Sequence, residues 1–128
     1  MKEINTYVNE VLISNKNKVA ISKEKNSKDP DTWEVGDVLY GFYGYSVRLP
    51  RFYKIIKRKY NEFTVLRLKG RVVEGERNKN EWKEVATDDI FSDKELKGKI
   101  NKDNEVKING DVSVILYDGH DIKGNANI

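Results

Sequence analysis

The chain contains no cysteine, one histidine, one methionine and two prolines in 128 residues. Without cysteine there are no disulfides, no thiolate nucleophile and no zinc site of the cysteine type. A single imidazole, His120, leaves no second histidine to complete a conventional histidine-based metal site. No apolar run approaches the roughly 20 residues that a membrane-spanning helix needs. The opening Met1-Lys2-Glu3-Ile4-Asn5-Thr6 lacks the charged-then-apolar layout of a secretory signal. The expectation is a soluble, cytoplasmic protein with no membrane association and no cofactor. Its length suits one domain, able to bury roughly two thirds of its unfolded surface.

What is present is charge, unevenly placed. The net charge is only +3. Residues 48–71, however, carry Arg48, Arg51, Lys54, Lys57, Arg58, Lys59, Arg67, Lys69 and Arg71 against Glu62 alone. That segment is therefore +8, and the remainder of the chain −5. Segregated charge of this kind sets up a field that attracts anions; its other reading is a lysine- and arginine-rich solvent face that keeps a sheet soluble.

The patterning is mainly β. Val38–Tyr45, Phe52–Lys57 and Phe63–Leu68 are β-type runs with short turns between them, and Tyr60-Asn61-Glu62 joins two of them as a hairpin. Gly36 is expected at positive φ, and Gly41 and Gly44 mark bends in a tightly coiled sheet. Glu105–Ile108, Asn109-Gly110 and Asp111–Tyr117 form a second hairpin, with Asn-Gly where a type I′ turn needs two positive-φ residues. Residues 71–84 read as an exposed excursion in which Trp82 is the only bulky apolar residue. Asp93–Lys97 read as a brief helical turn capped by Ser92. Residues 4–22 fit either a helix or a hairpin around Asn15–Lys18, with β-branched arms favouring the hairpin. The expected organisation is one domain: an N-terminal extension and linker over 1–32, a β core with its C-terminal hairpin over 33–118, and a frayed tail over 119–128.

Catalytic constellations are sparse. Asp118-Gly119-His120-Asp121 places the lone histidine beside carboxylates, but in a glycine turn that reads as surface. Asp88, Asp89, Asp93 and Glu95 do not follow a calcium-loop spacing. Gly41-Phe42-Tyr43-Gly44 has neither the lysine nor the following helix of a phosphate-binding loop. An enzyme is not expected. The better constellation interleaves aromatics with cations: bases stack on aromatic faces while arginine and lysine pair with phosphate. The residues singled out for binding are Tyr43, Tyr45, Arg48, Arg51, Tyr53, Lys54, Lys57 and Arg58, with Tyr43, Tyr45 and Tyr53 expected to be partly exposed.

Trp33-Glu34-Val35-Gly36-Asp37-Val38-Leu39-Tyr40, Tyr43-Gly44-Tyr45, Phe52–Arg58 and Phe63–Arg67 together resemble a group of small proteins of bacteriophages, prophages and plasmids. The likeness extends over residues 33–124, and the opening resembles SH3-like small barrels. It departs at Ser46–Pro50, more basic and apolar than the group's polar stretch, and at Tyr117, where the group often has tryptophan. The resemblance implies an SH3-like or related small β-barrel and a non-catalytic inhibitor in a bacterial host cell. Its partner would be a bacterial defence protein or an anionic nucleotide signal. Direct binding of DNA or RNA is the alternative, and edge strands leave room for a homodimer.

Overall fold

The computed structural model describes residues 24–126; the helix-or-hairpin over 4–22 lies outside them. A short 3-10 turn at Pro30–Thr32 leads into eight strands: β1 Val38–Tyr43, β2 Leu49–Lys59, β3 Glu62–Gly75, β4 Glu81–Ile90, β5 Leu96–Ile100, β6 Val106–Ile108, β7 Val112–Leu116 and β8 Ile122–Asn125. Every pairing is antiparallel. Six strands close a ring in the order β2-β1-β7-β6-β5-β3, sealed by pairing of β3 with β2. This is the expected mainly β architecture, a small closed barrel of SH3-like or related type. Among the described residues no helix is long and apolar enough to cross a membrane.

The barrel follows from the alternation of its strands. Leu39, Tyr53, Ile55, Phe63, Val65 and Val114 point inward and are buried. Trp33 closes one end, its ring 5.6 Å from that of Phe63 and its Nε1 donating to the Asn26 carbonyl at 3.0 Å. Curvature this tight requires close strand approach: a Cβ at Gly41 would lie 2.2 Å from the Ser113 carbonyl oxygen. The turns take the expected chemistry. Gly36, Asn109 and Gly110 are at positive φ, and Asp111 N–H donates to the Ile108 carbonyl at 3.1 Å.

A second, smaller ring grows from the same strands. The first half of β3 lies in the barrel against β2 and β5, and its second half leaves to pair with β4. β8 adds to the far edge of β4. Arg48 and Asn125 then exchange backbone hydrogen bonds at 2.6 and 3.0 Å, tying β8 back to the start of β2. Inside this flap sit Phe52, Leu68 and Ile122, with Tyr40, Phe42 and Tyr117 packed against them. Both faces of β2 are thus covered at Phe52-Tyr53, so neither face could read as simply polar.

The structure corrects three expectations, two of them in the flap. Residues 71–84 are a long β-hairpin rather than a loop; 71–81 are exposed as expected, apart from half-buried Val72, but Trp82 is 2% exposed. The charged outward positions Glu81 and Lys83 mask the inward pair Trp82 and Glu84. The tail is not frayed through Ala126: β8 is paired, and Ile122, Gly124 and Ala126 are buried. Its glycine is a packing requirement, because a Cβ at Gly124 would meet the Trp82 indole at 2.5 Å and Pro50 at 2.9 Å. Gly124→Ala is expected to cost about 1–3 kcal/mol by overpacking, read as a lowered denaturant midpoint; an unchanged midpoint would contradict this packing. Finally, Asp93–Lys97 form no helical turn. Ser92 Oγ accepts from Lys94 N–H at 3.2 Å, and the chain enters β5 at Leu96.

Candidate functional site

Where β2 and β3 leave the barrel, the inward-facing series ends in cations instead of apolar groups. Tyr53 is opposite Arg67 in the β2–β3 register, and Arg51 lies two residues before Tyr53, on the same face. Arg51 reaches diagonally across the β1–β2 pair, its guanidinium 4.6 Å from the centre of the Tyr43 ring. Arg67 stacks on Phe91 at 3.8 Å. A β-bulge places Phe91 there. Between Leu68/Ile90 and Gly70/Ala86 the β4 register slips, and Thr87–Asp89 loop outward. Thr87 Oγ1 donates to the Lys69 carbonyl at 2.8 Å, and Phe91 N–H returns to the Arg67 carbonyl at 2.8 Å. The bulge therefore aims Phe91 over Arg67 and leaves Asp88 and Asp89 in solvent.

Two cavities meet at this point. The larger, about 400 Å³, has Phe52, Leu68 and Trp82 in its lining and the cations Arg51, Arg67, Lys69 and Arg77 around it. Its single carboxylate, Glu84, is already engaged. It accepts Trp82 Nε1–H at 2.6 Å, Arg77 Nη2 at 3.0 Å and Arg77 Nε at 3.3 Å. The smaller cavity, about 240 Å³, is lined by Tyr43, Tyr53, Ser92, Lys94, Asn109 and Asp111. Arg51, Arg67 and Phe91 line both.

The electrostatics of this junction are unresolved in the free protein. The Arg67 Nε–H is buried without a hydrogen-bond acceptor. Burial, and then the neighbouring Arg51 charge, push the Arg67 guanidinium below its ordinary range. Burial likewise raises the Tyr53 hydroxyl, against the pull of Arg51 and Arg67. An anion seated between the two guanidinium groups would offset their repulsion, and the Arg67 Nε–H, closed to solvent, would reach it only if the side chains around it shifted.

Of the residues singled out from sequence, the structure gathers Tyr43, Arg51 and Tyr53 here. Tyr53 forms cavity wall rather than exposed surface, being 2% exposed because it fills the barrel. Tyr45 stands fully in solvent on the β1–β2 loop, and Arg48 stacks on Phe42 at 3.9 Å. Lys54 and Lys57 are exposed outside the groove. They share an outward aspect because the bulge at Ile56 interrupts the alternation of β2.

Arg58 is committed to the fold. Its Nη1 donates to the carbonyls of Pro30, Asp31 and Trp33 at 3.1, 3.1 and 2.9 Å, and its Nε to that of Tyr60 at 2.9 Å. Arg58→Ala should cost about 2 kcal/mol in stability by stranding these acceptors while leaving ligand affinity unchanged, and a loss of affinity at unchanged stability would reverse that assignment.

Sequence reasoning missed Arg77, Trp82, Glu84, Phe91 and Lys94, and counted Arg67 and Lys69 only as charge. The available signal was Phe91 itself, an aromatic isolated behind an acidic pair.

A further cavity of about 400 Å³ includes Tyr40, Tyr117, Asp118 and His120. His120 packs edge-on to Tyr40 at 5.6 Å, and its Nδ1 hydrogen-bonds Asp118, holding that exposed carboxyl below its ordinary range. Among the described residues no group of three or more histidine, cysteine, aspartate or glutamate side chains could hold a metal ion.

Comparisons with protein-family models, with curated proteins and with solved structures found no match, so the site stands on its own geometry.

Proposed function

We propose that this protein is a non-catalytic binding protein whose groove captures a nucleotide-type anion, its phosphate on Arg51 and Arg67 and its base against Phe91. The observation that carries this reading is the buried, acceptorless Arg67 Nε–H beneath an exposed aromatic. A buried donor left unpaired costs about 1–3 kcal/mol, and Arg67 carries that cost beside a cleft where an anion would also offset the Arg51 charge. The cavity volumes suit a small molecule.

The resemblance to phage, prophage and plasmid proteins suits a counter-defence inhibitor in the bacterial cytoplasm. It would sequester the nucleotide signal of a defence system or occupy a nucleotide-binding defence protein. The exposed Arg48, Lys54 and Lys57, outside the groove, favour a second reading, direct binding of DNA or RNA.

The test is isolation of the protein from a bacterial lysate with and without nuclease, followed by denaturation and mass analysis of whatever is released. A phosphorylated, ultraviolet-absorbing small molecule retained after nuclease and lost in Arg51→Glu/Arg67→Met is the expected result. Recovery only of nuclease-sensitive polymer, lost in Lys54→Glu/Lys57→Glu and not in the groove variant, would replace this reading with the second. The second reading also predicts steep salt dependence, because each neutralised phosphate releases counterions.

A further inference from the structure

We infer that the ligand is a dinucleotide: two nucleosides joined by one phosphodiester, with a base in each cavity. This rests on the nucleotide reading above. The larger and smaller cavities are distinct chambers that share only Arg51, Arg67 and Phe91. The cations stand at their junction, where a single anionic centre satisfies both guanidinium groups. Exposed aromatic surface comes from Tyr43, 42% exposed, in the smaller chamber and from Phe91 at the mouth of the larger, while Phe52, Trp82 and Tyr53 are buried and only back the walls. Phe91, 53% exposed, belongs to both.

A mononucleotide fills one chamber and leaves the other to water. A third base would lie outside both chambers, each of which runs up against a turn. The larger reaches Arg77-Asn78 in the β3–β4 connection, and the smaller reaches Asn109–Asp111 in the β6–β7 turn. The polar groups available to read base edges are correspondingly local: Asn78 in the larger chamber, and Ser92, Asn109 and Asp111 in the smaller.

The test is calorimetric titration of the whole protein with four dinucleoside monophosphates, those of adenine, guanine, cytosine and uracil. The matching 5′-mononucleotides and a twelve-residue single-stranded oligonucleotide are titrated alongside. At least one dinucleoside monophosphate is expected to bind one-to-one, between about fivefold and a hundredfold tighter than its mononucleotide, the gain from stacking a second base. Tyr43→Ala should bring that affinity down to the mononucleotide level with the melting temperature monitored as a folding control. Equal affinities for mono- and dinucleotide would overturn the two-chamber inference while leaving the nucleotide reading intact. Tighter binding of the oligonucleotide would overturn it in favour of a continuous strand. No response to any of the three would remove the nucleotide reading itself.

Discussion

Replacing Glu84 by alanine is expected to destabilise the protein by about 3–4 kcal/mol, near the lower end of the cost of breaking a buried ion pair. The carboxylate is 5% exposed and closes the flap by holding three donors at once. Gly70 makes this possible, since a Cβ there would lie 2.1 Å from Glu84 Oε1. Without the carboxylate, the Trp82 Nε1–H is left in an apolar site and a cavity opens beside Phe52. Arg77, with its side chain 48% exposed, turns to water and softens the loss. For a domain of this size the melting temperature should fall by roughly 10–20 °C. Glu84→Gln keeps the shape and one acceptor, and should cost less than half as much. A loss under 1 kcal/mol for Glu84→Ala would show that the Trp82–Glu84–Arg77 cluster does not hold the flap.

Arg67→Met should move stability and binding in opposite directions. Methionine keeps the unbranched stem as far as the Nε position and can pack on Phe91 through its sulfur, while the acceptorless N–H disappears. Stability should rise by about 1 kcal/mol, the lower end of the cost of an unpaired buried donor. Affinity for a nucleotide should fall between about tenfold and a hundredfold with loss of a charge-assisted hydrogen bond. A gain in stability bought with function is the behaviour of a strained binding site. The measurements are a thermal melt and a nucleotide titration on the same preparation. Lower stability with unchanged affinity would make Arg67 a structural residue.

The barrel was legible because its strands obey period two and its turns carry their own chemistry: Asn109-Gly110 and Gly36 take positive φ, and the hairpin expected at Tyr60-Asn61-Glu62 forms with Glu62 already in the strand. The flap was not. Its outward positions are charged, its inward ones include a glutamate, and its last strand is built on Ile122, Gly124 and a glycine-rich surround. Burial of Glu84 depends on Arg77 seven residues away and on an absent Cβ at Gly70, neither of which a local pattern contains.

The site divided in the same way. Arg51 and Tyr43 meet across adjacent strands and follow from register. Arg67 meets Phe91 only because a bulge in β4 shifts the chain, and that depends on Thr87 capping the Lys69 carbonyl. Conversely, the structure divides the basic run. Arg58 is consumed by backbone carbonyls, and Lys54 and Lys57 lie outside the groove.

The most direct measurement of the central claim follows the arginine Nε–H resonances by nitrogen-15 NMR during titration with a dinucleoside monophosphate. A saturable downfield shift of the Arg67 resonance, with Arg51 perturbed and Arg58 unmoved, is the result predicted for an anion seated at the junction of the two cavities. Saturable binding that leaves Arg67 and Arg51 unchanged would contradict it and place the ligand elsewhere on the molecule.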